Sequence, residues 1–221
     1  MPRFENLCLV FDLDDTIYNE IDFVRSGIDA VRGALTQAGF GTTTALTDEE
    51  LRGGRAIDIL VSKANAPLAM RESLLWQYRL HQPKIALSGT AKSMLDWAKT
   101  SCGAVAILSD GRAITQRNKL AALGLEDWPA FISGETGVEK SDEVAFLNIE
   151  KRWPNLHFAY VADNPRKDFL MPNRRGWITI GLRDAGVNIH GQDSPAIGQG
   201  PQNWISSLKE LGSLLEARLS S

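Results

Sequence analysis

The chain has 221 residues, with 24 Lys and Arg against 27 Asp and Glu, and a formal net charge of −3. With 43% hydrophobic, 23% charged and 8% aromatic residues it has the composition of a folded chain and not of a disordered one. The slight acidity supplies no bulk positive field for a nucleic acid polymer or an anionic membrane, and the length suits one α/β core carrying a large insertion.

In chain order, the first apolar run is Leu7 to Phe11 (LCLVF), which reads as a strand. Such runs of about five residues are far short of the roughly 20 needed to span a membrane. The N-terminal run lacks the longer stretch and cleavage site of a secretory leader, so a cytoplasmic location is expected. From about Thr16 to Lys92 no strand pattern occurs, only amphipathic helical patterns in FVRSGIDAVRGAL, DEELRGGRAIDILVSK and PLAMRESLLWQYRL. Thr47 before Asp48, Glu49 and Glu50 has the form of a capped helix start, and Pro67 suits a first helical position. Pro83 and Gly89 mark the return.

Strand-like runs then follow at Ala104 to Leu108, Ala130 to Ser133, Phe158 to Ala162 and Trp177 to Gly181, with helical stretches at Ala113 to Leu123 and Glu143 to Trp153. The segment Asp184 to Gln202 is polar and Gly-rich, a loop ahead of a final helix, SSLKELGSLLEARL, and its composition fits a pocket lining and a plain connection equally. Two cysteines, Cys8 and Cys102, form no disulfide framework and read as small buried hydrophobes in a reducing compartment.

Strand alternating with helix predicts a Rossmann-like, doubly wound parallel sheet, and continuous apolar runs such as LCLVF, AVAIL and FAYVA are what strands buried on both faces require. The expected division is a core of residues 1–15 and 93–221 and an all-helical insertion of residues 16–92.

Chemistry is concentrated after the strands. LCLVF is followed by Asp12 and Asp14, AVAIL by Ser109-Asp110-Gly111, AFIS by a turn leading to Lys140, and FAYVA by Asp163 and Asp168. In an open parallel sheet ligands bind outside the carboxyl ends of the strands, so these groups should converge. Asp12 and Asp14 share a side if the extended backbone persists. Grouped carboxylates repel unless a proton or cation compensates, and oxygen-only ligands suit Mg²⁺. Ser109, nearby backbone amides and the Lys140 ammonium are donors for an anion, which together describes phosphoryl transfer.

These residues carry a resemblance. FDLDDTIY resembles the first motif of the haloacid dehalogenase superfamily, ILSDG its second, Lys140 its third and VADNPRKD its fourth, and the helical insertion resembles its cap. The resemblance implies a phosphatase in which Asp12 is the nucleophile and Asp14 the acid and later the base. It implies Mg²⁺ held by the Asp12 carboxylate, the Asp14 carbonyl and Asp163, with Asp168 in direct contact or one layer out. Ser109, the Gly111 amide and Lys140 would hold phosphoryl oxygens; Asp110, where Asn is frequent, would orient a substrate hydroxyl or turn outward. Ser141 and Ala162 also depart from the commonest pattern, without removing a catalytic group. The cap is expected to close over the substrate.

Asp14 favours phosphate esters over halides, because an alkoxide leaving group needs a proton and a halide does not. The expected substrate is a small phosphorylated metabolite, a nucleoside 5′-monophosphate or a sugar phosphate. A phosphomutase or phosphotransferase would use the same aspartate, and a non-catalytic phosphometabolite-binding module would keep the fold alone. Asp168 also fits a helix N-terminal acid. Arg52-Gly53-Gly54-Arg55 reads as an anion contact or a solvated helix interruption, and Asn164 as a substrate contact or a turn. Arg79 and His81 are weaker candidates, Trp76, Tyr78 and Trp97 read as core, and His157 and His190 suggest no metal site.

Overall fold

The computed structural model describes residues 3–41, 45–192 and 198–219. The elements in chain order are β1 (Phe4–Phe11), α1 (Glu20–Gln37), α2 (Asp48–Arg52), α3 (Ala56–Lys63), α4 (Arg71–Leu80), α5 (Gly89–Ser101), β2 (Cys102–Ser109), α6 (Ala113–Ala122), β3 (Ala130–Ile132), α7 (Ser133–Thr136), α8 (Glu143–Arg152), β4 (His157–Ala162), α9 (Leu170–Arg174), β5 (Ile178–Leu182), β6 (Asn203–Ile205) and α10 (Leu211–Leu219). Two compact units result: Met1–Asn19, Leu87–Ala113 and Asp127–Ser221 form one, Glu20–Ala86 and Ile114–Glu126 the other.

The first unit is built on one sheet of order β3-β2-β1-β4-β5-β6 with every pairing parallel. This is the doubly wound arrangement, and the strand order reverses between β1 and β4. Alternate residues of a strand face opposite sides. Cys8 and Val10 of β1, Ala106 and Leu108 of β2, and Tyr160 and Ala162 of β4 pack with Phe146 and Ile149 of α8 and with Phe169. Leu7, Leu9 and Phe11 face the other way and are equally buried, on the side where α5 lies against β1 and β2. Burial on both faces explains why these strands read as unbroken apolar runs. Both cysteines are buried free thiols, pushed by burial up to about 12.

β6 is a strand that the sequence reading left inside the approach to the final helix. It pairs through three residues with β5 at the sheet's edge, too short a run to show a pattern among the surrounding Gly, Pro and Gln. Ser133, expected to close the β3 run, instead opens α7.

The second unit is helical. The Thr47 cap is present in full, with its side chain accepting from the Glu50 amide and the Glu50 side chain accepting from the Thr47 amide. The pattern DEELRGGRAIDILVSK is not one helix but two: α2 stops at Gly53, and Gly54 takes φ +70, left-handed backbone that ends the helix before α3 begins. Pro67 caps a 3₁₀ turn ahead of α4. Residues 114–126 group here, although the sequence assigns them to the core: Thr115 Oγ1 donates to the Arg79 carbonyl, and Lys119 Nζ stands 4.2 Å from the centre of the Phe23 ring. Residues 16–19 and 87–92 group with the sheet instead, since α5, capped by Ser88, lies on it as a whole. Among the described residues no helix is long and apolar enough to cross a membrane.

Candidate active site

β1 and β4 are neighbours at the point where the strand order reverses, and the Asp12 amide continues their ladder by donating to the Val161 carbonyl at 2.8 Å. Asp12 and Asp163 therefore leave adjacent strands side by side. Asp12, Asp163 and Asp168 are all buried, and each offers a carboxylate oxygen within 4.8 Å of the others.

The counter-charge among them is Lys140. Its Nζ lies 2.7 Å from Asp12 Oδ1 and 2.9 Å from Asp168 Oδ1. Burial works against the ammonium, but Asp12 and Asp168 outweigh it and hold the lysine well above its ordinary value. Lys140 arrives on the turn between α7 and α8, where its amide donates to Asp110 Oδ1 at 3.0 Å. Asp110 thus fastens the lysine turn to the end of β2. One oxygen of the Asp110 carboxylate is thereby engaged with backbone.

Asp168 is held on every side: Oδ1 accepts from Lys140 and from the Tyr160 hydroxyl at 3.3 Å, and Oδ2 from the Asn164 amide at 3.0 Å. Asn164 in turn folds its side chain back to accept from the Arg166 amide at 3.1 Å, an Asx turn that explains its place without a substrate.

Burial raises the Asp12 carboxyl to about 7, with Asp168 and Asp14 adding to the rise and Lys140 opposing it. Burial raises Asp163 to about 9, with Asp12, Asp168 and Asp15 adding. One ammonium among three buried carboxylates leaves the cluster short of positive charge, and the donors are all oxygen. The residues present fit a hard divalent cation.

The extended backbone does not persist beyond Asp14. Asp15 adopts φ +51, and the chain turns so that the Tyr18 hydroxyl donates to Asp14 Oδ1. Asp14 is consequently half-buried and outside the carboxylate triplet, its carboxylate set by Tyr18.

Ser109, at the end of β2, is 1% exposed. Gly111 takes φ +142, and its amide donates to Ser133 Oγ at 2.9 Å. That donor is engaged within the protein, so a phosphoryl group would meet it only by displacing Ser133. Arg52 and Arg55 belong to the helical unit, at the end of α2 and the N-cap of α3.

The sequence reading did not single out Tyr18, Ser133 or Tyr160, and it left open whether the loop after β5 lines the pocket. Asn188 Nδ2 donates to Asp163 Oδ2 at 2.9 Å, Gln192 Nε2 to the Asp163 carbonyl at 2.7 Å, and the Ile189 amide to Asp15 Oδ2 at 2.7 Å. A signal was available: β5 ends at the same edge as β1 and β4, where ligands of such sheets are found.

A buried acidic cluster with a lysine thus stands at the switch point of a doubly wound parallel sheet, where the ligands of such folds bind. Comparison with known families is specific: the model of the haloacid dehalogenase-like hydrolases matches residues 9–180, and the chain belongs to that family. No protein of curated function matches the sequence.

Among solved structures, a 2-haloacid dehalogenase from Pseudomonas syringae is similar at 19% identity and TM-score 0.64, over 95% of this chain and 98% of the other. A predicted phosphoglycolate phosphatase from Haemophilus somnus is similar at 16% and 0.63, over 97% and 99%. The protein described as the HAD-hydrolase YfnB of Bacillus subtilis, bound to magnesium, is similar at 18% and 0.68, over 96% and 99%. Likeness at these identities speaks for the fold.

Proposed function

We propose that the chain is a Mg²⁺-dependent phosphatase acting on a small phosphorylated metabolite, a nucleoside 5′-monophosphate or a sugar phosphate, through an aspartyl-phosphate. The observation that carries it is the Asp12 carboxylate, buried beside both Lys140 and the acidic cluster, with a second carboxylate, Asp14, two residues on. Uncatalysed phosphate ester hydrolysis is slow enough that enzymes accelerate it by up to roughly 10²¹-fold, so several residues must act together.

Asp12 attacks phosphorus as the bond to the leaving oxygen breaks, and Asp14 gives that oxygen its proton. In the second step Asp14 takes a proton from water, whose oxygen attacks phosphorus. The bond to Asp12 breaks, and inorganic phosphate leaves. Lys140 offsets charge near the phosphoryl oxygens in both steps, and the Ser109 hydroxyl is the further donor at the strand edge. Mg²⁺, held by the Asp12 and Asp163 carboxylates and the Asp14 carbonyl, would supply charge neutralisation that one lysine cannot. Asp168 keeps Lys140 aimed. Asp14 also separates this reading from a dehalogenase, in which the departing halide takes no proton.

The test is phosphate release from a panel of nucleotides, sugar phosphates and phospho-acids, in Mg²⁺ and in EDTA, for wild type and Asp12→Asn. Mg²⁺-dependent release that the substitution abolishes is the expected result. Release undiminished in Asp12→Asn overturns it, while isomerised phosphate ester with little free phosphate would assign a mutase instead.

A further inference from the structure

We infer that Asn188 is a positioning residue for Asp163, and that the loop from Asp184 to Gln192 is part of the catalytic centre, hung there from Asp15. This rests on the reading of Asp163 as a metal-holding carboxylate.

The Asn188 side chain is buried and donates to one Asp163 oxygen. A carboxylate that accepts a fixed N–H has its plane set, which is what a residue awaiting a cation requires. The loop is constructed to present this amide. Asp184 Oδ1 gathers the backbone N–H groups of Gly186, Val187 and Asn188 at 2.7, 2.8 and 3.0 Å. Gln192 closes the loop's two ends. Its Oε1 accepts from the Asp184 amide at 2.9 Å, and its Nε2 donates to the carbonyls of Leu182 and Asp163.

Asp15 supplies the attachment to β1. It is a buried, non-glycine residue at φ +51, left-handed backbone that L-residues adopt at a cost. Glycine would adopt that backbone freely. What glycine lacks is the carboxylate, whose Oδ2 accepts from the Ile189 amide, one residue beyond Asn188. Asn188 is thereby fixed on both flanks, its own amide by Asp184 and the next amide by Asp15. A loop that merely joined β5 to β6 would need neither the donor to Asp163 nor the anchor on the residue next to Asp14.

The experiment is titration calorimetry of the full chain with Mg²⁺ alone, for wild type, Asn188→Leu, Asn188→Ala and Asp15→Gly. Leucine keeps the volume and removes the donor; alanine serves if leucine does not fold; glycine suits the Asp15 backbone and removes the anchor. Loss of such an outer partner typically weakens metal binding about 10- to 100-fold, and that is the expectation for both Asn188 variants. A smaller change in the same direction is expected for Asp15→Gly. Turnover lost at low Mg²⁺ should return at high Mg²⁺. Wild-type affinity in the Asn188 variants overturns the inference, as does lost turnover that added Mg²⁺ does not restore. Absence of Mg²⁺ binding by the wild type would instead overturn the reading on which it rests.

Discussion

Lys140 Nζ and Asp12 Oδ1 lie 2.7 Å apart with both side chains about 7% exposed, so the proposed nucleophile and its cation are buried as a pair. Removing one partner of a buried pair strands the other, at a cost of about 3–5 kcal/mol. Lys140→Met strands two, because Asp168 loses the same ammonium. Urea unfolding should show that loss most fully above about pH 8 and less of it at about pH 6, where Asp12, raised to about 7, takes up a proton. Phosphate release should fall by at least about 10²-fold, as for loss of a donor to developing charge. A rate near that of wild type would show that Lys140 is structural only.

Tyr18 donates its hydroxyl to Asp14, the proposed acid. A general acid matters in proportion to how poorly the leaving group departs unaided, and is typically worth about 10² to 10⁴-fold. Asp14→Asn should lose that much with an alkyl phosphate and much less with p-nitrophenyl phosphate. Tyr18→Phe should shift the ratio of the two rates in the same sense, by a smaller factor. Equal losses on both esters would remove Asp14 from the proton-transfer role.

The parts of this molecule legible in its sequence are those set by local chemistry. LCLVF, AVAIL and FAYVA are buried on both faces, and the acids after them sit where chain direction alone places them. Thr47 was legible because a capping box is complete within four residues. What escaped depends on partners far along the chain. Asn188 and Gln192 look like ordinary loop residues until β5 is paired beside β4, and Asp15 meets Ile189 across 174 positions. The partners of Asp110 and Gly111 are equally distant: the Asp110 carboxylate accepts from the Lys140 amide, and the Gly111 amide donates to Ser133.

Away from the site, Arg175 clamps Glu150 through Nε at 2.7 Å and Nη2 at 2.5 Å, while Trp177 Nε1 donates to the same carboxylate at 2.8 Å. Arg175 foremost, with Trp177, holds Glu150 below the usual carboxylate value. A depressed carboxyl contributes stability above its unfolded value and loses it as pH falls through the folded one. The pair is partly exposed, so Glu150→Gln should cost only about 1 kcal/mol at neutral pH. The difference from wild type should shrink on acidification below about pH 4. A difference independent of pH in urea unfolding would assign the loss to packing against Trp177 instead.

The acidic cluster has the opposite sign. Asp12 and Asp163, at about 7 and about 9, bind protons more tightly in the folded chain than an unfolded aspartate at about 3.9 does. Their contribution to stability is full below about pH 4 and is lost as pH rises through the folded values. In EDTA the melting temperature should therefore decline from about pH 6 to about pH 9. A bound Mg²⁺ takes the place of those protons, so the stabilisation it gives should grow over the same interval, and its binding should release protons. Calorimetry in two buffers of different ionisation enthalpy measures that release. A melting temperature flat with pH in EDTA, or binding without proton release, would mean that the cluster is already ionised and balanced by groups of the protein itself.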